Sequence, residues 1–410
     1  MNANQFDIPS NLPRPSLSPL RRAPIFTALS AALFLSVGGH SAPANAVTYT
    51  VTDLGVVNGG ILSSGWGINA GGQVTGTFYT AGGAFGPEAH AFVTQNGAMI
   101  DLGTLGGHES HGSGINDAGV VAGDADTGEG YPHAVVIEGG TMYDLGTLGG
   151  VFSRAYGINA YGQVTGDAGA ADGHAHAFVA QYGAMFDLGT LGGTSSHGYG
   201  INASGQITGE SDTAGGDSHA FVFQNGAMID LGSLGGRYSA GYAINAGGQV
   251  VGYSETATGT RHAFAIWGGA MTDLGTLGGN WSEAWGINTQ GQVVGFSYTA
   301  NGVKHAFLAQ GSGMTDLNSL IANNPGWTLE SANAINDSGQ ITGTGTNPTG
   351  QRHAFLLTPV PPPVDPCPAL LFEIEELEND LQNETNVNER KRILRRLGPL
   401  RTRARQLGCR

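Results

Sequence analysis

The sequence predicts an all-β fold, a seven-bladed β-propeller closed by an N-terminal strand and followed by a C-terminal α-helical hairpin, on three observations. First, one phrase recurs seven times: an Ile-Asn pair, a Gln-hydrophobic-x-Gly strand, a His-Ala-Phe triplet and Met-x-Asp-Leu-Gly. Its asparagines are Asn69, Asn116, Asn159, Asn202, Asn245, Asn288 and Asn336, and its histidines His90, His133, His176, His219, His262, His305 and His353. Its aspartates are Asp53, Asp101, Asp144, Asp187, Asp230, Asp273 and Asp316, 43 residues apart from Asp101 onward. A fixed period of this length marks a repeat architecture. Second, glycine supplies 70 of 410 residues, and the repeated part has no amphipathic run of helical length. Short alternating segments bounded by glycine are the pattern of strands and tight turns. Third, the last copy lacks its Met-x-Asp-Leu strand, and Thr48 to Leu54 supplies that piece from the other end of the chain. Closure by such a clasp removes an exposed sheet edge.

In chain order, residues 1–46 read as a signal peptide. Arg21 and Arg22 precede the apolar run Ile25 to Val37, and Ala44-Asn45-Ala46 offers a small-residue cleavage site. The run is too short to span a membrane, and the surroundings of the paired arginines fit a twin-arginine signal poorly. Residues 47–358 are the repeats. One unit reads as strands over Glu283 to Asn288, Gln292 to Ser297, Lys304 to Ala309 and Met314 to Leu317, with a turn at Thr289-Gln290-Gly291. Four short strands in 43 residues suit a propeller blade, whereas a parallel β-helix needs shorter coils. Residues 359–368 are a proline-rich linker and residues 369–410 a helical hairpin. Leu370, Ile374, Leu377 and Leu381 stripe the first helix; Ile393, Leu397, Leu400, Ala404 and Leu407 stripe the second, with a kink expected at Pro399. The first helix is acidic and the second basic, which favours antiparallel pairing. Cys367 and Cys409, the only cysteines, flank the hairpin, and in an exported chain a disulfide is expected.

The repeated unit resembles the HAF family of extracellular repeat proteins, named for the His-Ala-Phe triplet. The resemblance covers roughly Thr48 to Thr358, with departures at His133-Ala134-Val135 and at Asn318-Ser319-Leu320. It implies an exported repeat protein, secreted or periplasmic, and supplies no catalytic residues.

Residues that recur in every copy build the fold, because an active site is needed once. Met99, Met142, Met185, Met228, Met271 and Met314 read as core fillers between blades, in preference to a soft-metal row. Six repeat histidines precede an aspartate by 11 residues, as His176 precedes Asp187, and His353 takes Asp53 from the N-terminal piece of the split repeat; seven equal pairs read as a stapling network of similar worth in each blade. Phe92, Phe178, Phe221, Phe264, Phe307 and Phe355 read as core. The glycines of Leu-Gly-Gly and Asn-x-x-Gly-Gln supply positive φ at tight turns and close blade packing, and no helix follows them to hold a phosphate.

Residues 47–358 carry 23 acids and five bases, Arg154, Arg237, Arg261, Lys304 and Arg352, a net charge of −18. That argues against nucleic acid and anionic membrane surfaces as partners. Length variation at residues 77–88 and 318–332 falls on one face, where binding usually resides on a rigid scaffold. The same face is expected to carry His108, Glu109, His111, Arg154, His197, Arg237, Tyr238, Trp281 and Glu283, a mixture suited to sugars, peptides or cations. Asp124, Asp126 and Glu129 form a candidate calcium loop; calcium is the one cofactor the sequence suggests. No nucleophile elbow, zincin motif or phosphate loop is present. The preferred function is a non-catalytic exported propeller that binds an extracellular glycan or protein, with the hairpin as a docking or assembly module. The alternative is a secreted carbohydrate-active lyase or hydrolase using the same face.

Overall fold

The computed structural model describes residues 47–82, 86–360 and 366–409. The expected signal peptide lies outside them, as do residues 361–365 of the expected linker. The repeats form antiparallel four-stranded meanders. One comprises Gly149–Ile158, Val164–Ala170, Ala175–Gln181 and Ala184–Asp187, paired in chain order. The same meander recurs in the sheets that open with Leu62–Ile68, Gly106–Ile115, Gly192–Ile201, Gly235–Ile244 and Gly278–Ile287. The last three are linked edge to edge by single parallel bridges, Ser218 to Tyr238 and Arg261 to Trp281. Thr328–Ile335, Ile341–Thr346 and Arg352–Val360 make the last sheet, and Thr48–Gly55 pairs as its outer strand, Thr48 opposite Val360 and Asp53 opposite Phe355. The expected boundary at residue 358 thus falls inside a strand, since Pro359 pairs with Tyr49.

In five sheets, those opening at Gly106, Gly149, Gly192, Gly235 and Gly278, the opening strand is longer than expected. The last of these strands starts at Gly278 instead of Glu283, because the Leu-Gly-Gly segment continues the strand through a register shift between Gly278 and Ser282. Glycine is required there: a Cβ on Gly279 would stand 2.5 Å from the Tyr298 carbonyl oxygen. The second strand also uses glycine for close approach. A Cβ on Gly209 would collide with the His197 carbonyl and lie 2.9 Å from the Phe221 ring. Phe221 and its five counterparts are fully buried, as is Val135 in the same place. The six methionines pack, half-buried, against the edges of these clusters.

Three polar devices recur: the first ties the outer two strands within each sheet, and the other two join one sheet to the next. The repeat histidines meet their aspartates at 2.7–2.9 Å, and each aspartate also caps the backbone N–H two residues on, as Asp187 does Gly189. These pairs are not equal, contrary to the sequence reading. Six are partly solvent-exposed, whereas His353 is 7% exposed and bonds both Asp53 of the clasp strand, at 2.8 Å, and Asn347. His353→Ala is therefore expected to cost about 1–3 kcal/mol and His219→Ala about 1 kcal/mol or less, measured by urea unfolding.

The second device is a buried serine. Ser196 accepts the Ala177 N–H of the preceding sheet at 2.8 Å and donates to the Gly189 carbonyl at 2.6 Å. Ser63, Ser110, Ser153, Ser239 and Ser282 repeat the arrangement, and Ser63 receives Ala354 N–H from the last sheet. The third is the repeat asparagine. Asn202 Oδ1 accepts the Ser204 and Gln206 N–H groups of its own turn, while its Nδ2 donates to the Asn245 carbonyl at 3.0 Å. Every repeat asparagine makes the same step to the next sheet, and Asn336 makes it to Asn69. Asn202→Asp, which removes the donor and buries a charge, is expected to cost about 1–3 kcal/mol by urea unfolding.

The hairpin comprises α1, Cys367–Asn383, and α2, Val387–Leu407. Leu370, Ile374 and Leu377 pack on Ile393, Leu397 and Ala404, and Glu378 pairs with Arg401 at 2.5 Å. Asn386 caps α2, which continues through Pro399, and the Cys367–Cys409 disulfide is formed. No helix among the described residues is long and apolar enough to cross a membrane.

Candidate functional site: the axial cavity

Because side chains alternate along a strand, the residue two before each repeat isoleucine points to the axis around which the opening strands stand. Those residues are Trp66, Ser113, Tyr156, Tyr199, Tyr242, Trp285 and Asn333, and all seven line one cavity of ≈ 540 Å³. His111, Asp124 and Arg154 complete its wall. The aromatic rings form a nearly continuous band: Tyr156, Tyr199 and Tyr242 follow one another at 5.4 and 5.2 Å between centroids, and Trp66 meets Trp285 at 6.1 Å.

Carboxylates stand behind this band. Glu210 accepts from the Tyr199 hydroxyl at 2.6 Å. Glu283 is 5% exposed and accepts from Trp281 Nε1, Trp285 Nε1 and Arg261 Nη1. Asp124 holds His111, and Asp167 holds His197, both at 3.2 Å. Burial, reinforced by the charges of Asp167, Glu210 and Glu283, pushes the Tyr156, Tyr199 and Tyr242 phenols far above their ordinary range, so they remain neutral donors. Burial likewise raises Tyr253 to about 12. The hydrogen bond to Asp124 raises the His111 pKa against the opposing effect of burial. Burial pulls His197 down, and the bond and charge of Asp167 together outweigh it, so its pKa is raised too. In the cavity wall the buried Asn333 Oδ1 lacks a partner, although Asn333 Nδ2 donates to the Gly65 carbonyl at 2.7 Å; on the strands behind it, Thr77 Oγ1 and Asp167 Oδ1 also lack a well-formed bond.

The residues expected on the binding face separate into three groups. His111 and Arg154 line the cavity, and His197 stacks on Tyr199 at its edge. His108, Glu109, Arg237, Tyr238 and Trp281 lie farther out, on the strand extensions and not in loops. There His108 meets Glu88 at 3.2 Å, and Arg237 pairs with Asp217 at 2.6 Å. Glu283 is buried, committed to two indoles and an arginine, so its part is to set the tryptophans. The expected variable loops also differ from expectation. Residues 77–79 belong to a strand, and residues 83–85 of that connection lie outside the described residues. The connection from Leu317 to Trp327 is core: Leu317, Ile321 and Trp327 are buried, and Ala322 N–H donates to Tyr49.

The candidate calcium residues do not form one loop. Asp124 and Asp126 lie in the strand Val121–Thr127, Glu129 is exposed in the following turn, and Asp124 is taken by His111. No group of three or more His, Cys, Asp or Glu gathers in metal-holding geometry among the described residues. Sequence reasoning missed the cavity ring itself. Its signal was a position that varies (Trp, Ser, Tyr, Tyr, Tyr, Trp, Asn) beside an invariant Ile-Asn pair.

Successive four-stranded meanders with their opening strands about an axial cavity define the β-propeller class. No protein-family profile and no curated protein matches this chain. Among solved structures, TolB from Acinetobacter baumannii is similar over 70% of this chain and 80% of its own, at 9% identity and a TM-score of 0.38. A puromycin-hydrolyzing peptidase of Mycobacterium tuberculosis is similar over 72% of this chain and 50% of its own, at 11% identity and a TM-score of 0.46. AofleA from Arthrobotrys oligospora is similar over 66% of this chain and 89% of its own, at 10% identity and a TM-score of 0.36. At such identities and scores nothing about activity transfers, and the fold rests on this chain's own sheet topology.

Proposed function

We propose that this chain is an exported, seven-bladed propeller of the HAF type, clasped by its N-terminal strand, that binds an extracellular glycan in the axial cavity without cleaving it. The observation that carries the reading is the ring of five aromatic side chains backed by hydrogen-bonding carboxylates. Aromatic faces stack on sugar rings, and fixed polar groups select hydroxyls, in a volume of the size usual for small-ligand sites. The Cys367–Cys409 disulfide supports a periplasmic or secreted location, since such bonds persist in oxidising compartments. Non-catalytic binding is favoured because Asp124, Glu210 and Glu283 are each engaged by a neighbouring side chain. The test is to pass the purified protein over a panel of immobilised polysaccharides and assay the same mixtures for new reducing ends or unsaturated uronates. Retention on a glycan without cleavage is expected. Cleavage would replace this reading with that of a secreted carbohydrate-active enzyme, and a Tyr199→Ala variant retained as well as the parent would place the site elsewhere.

A further inference from the structure

We propose that the ligand of the axial cavity is a saccharide bearing a free, protonated amine; this rests on the glycan-binding reading above and names its chemical class. The unsatisfied buried atom in the cavity wall, Asn333 Oδ1, is an acceptor. Asn333 is 5% exposed, with its amide nitrogen already spent on Gly65, so Oδ1 waits for a donor. Behind the wall, Asp167 is 2% exposed; Oδ2 meets His197, the Tyr156 phenol lies within hydrogen-bonding reach of the carboxylate, and Oδ1 has no well-formed bond. Asp167 lies opposite Arg154 in strand register and raises the pKa of the cavity-lining Tyr156. A buried acceptor without a donor is costly, and a carboxylate acceptor gains most from a charged one.

Charge points the same way. Asp124, Asp167, Glu210 and Glu283 surround the ring, and the repeats carry a net charge of −18. Such a field concentrates cations at the cavity. The tyrosine and tryptophan faces add cation–π attraction for an ammonium and stacking for the sugar ring that bears it. A neutral sugar could offer the acceptors and carboxylates only uncharged hydroxyl donors, which bond a carboxylate more weakly than an ammonium does. Arg154 is the one arginine or lysine in the wall; its guanidinium lies 5.5 Å from the Phe152 ring centroid. For an amine-bearing ligand its charge is a repulsion.

The test is calorimetric titration of the full chain at pH 7 and low salt with three trisaccharides: the trimer of glucosamine, its fully N-acetylated counterpart, and maltotriose. The glucosamine trimer is expected to bind at least about tenfold more tightly than either neutral trimer, and Asp167→Asn to abolish most of that preference. Arg154→Ala is expected to tighten the glucosamine trimer several-fold, an effect no unfolding artefact produces. Weaker binding in that variant would overturn the proposal. Equal affinity for all three trimers would overturn the amine class and leave glycan binding standing. Binding of none by the parent protein would overturn both.

Discussion

Deleting residues 48–55 is expected to yield aggregated or unfolded protein. The strand contributes a full edge to the last sheet, from Thr48 opposite Val360 to Asp53 opposite Phe355. It also brings Tyr49, 1% exposed, into a core with Leu317, Ile321, Trp327, Leu329 and Phe355. Its loss strips the Tyr49 carbonyl from Ala322, Asp53 from His353 and Asn347, and the Gly55 carbonyl from Ser63. An open apolar edge is a template for pairing between molecules. Size-exclusion chromatography with light scattering reads the outcome, and a monomeric deletion product that melts with the parent would refute the clasp.

The second large effect is expected at Phe221. Its ring is fully buried, in a cluster with Ala177 and Ile207, and lies so close to Gly209 that no other residue fits there. Phe221→Ala removes the ring and leaves a cavity that a stiff strand pair cannot close, so a loss of about 3–5 kcal/mol is expected. Phe221→Val should cost less, because the chain itself holds Val135 at the equivalent position, fully buried. Urea midpoints of the two variants check both values, and an Ala variant no less stable than the Val variant would refute the packing account.

The sheets were legible because the repeat displays two signals that no tertiary context overrides: period-two alternation, and glycine at the turns. The Asn-x-x-Gly turn is readable for that reason, Gly205 having a φ of +75°. In the Leu-Gly-Gly segment the first glycine takes a positive φ, +101° at Gly278, and the second serves close approach to the neighbouring strand, while the segment's place inside a strand was not readable. The histidine–aspartate pairs followed from hairpin geometry, but the special burial of His353 depends on which strand covers it. Asn202 and Ser196 were visible as repeats, while their roles depend on a neighbour 43 residues on or 19 residues back, a distance that sequence alone does not show to be contact. The cavity was hidden for a different reason. Tyr199 looks like any strand tyrosine until the opening strands are set around an axis, and Glu283 looks available until Trp281, Trp285 and Arg261 close on it.

The asparagine links form a circuit with neither beginning nor end, each amide gripping the next carbonyl and Asn336 gripping Asn69. Such a hoop works like the chime of a barrel. Tension at any stave is passed round to all the others, and its bore is fixed by the count of links, not by the strength of any one. A chain that gained or lost a single repeat could not simply grow or shrink: every link would have to turn through a new angle at once. The diameter of the aromatic ring, and so the size of what it can hold, is in that sense set by how many times one phrase is repeated.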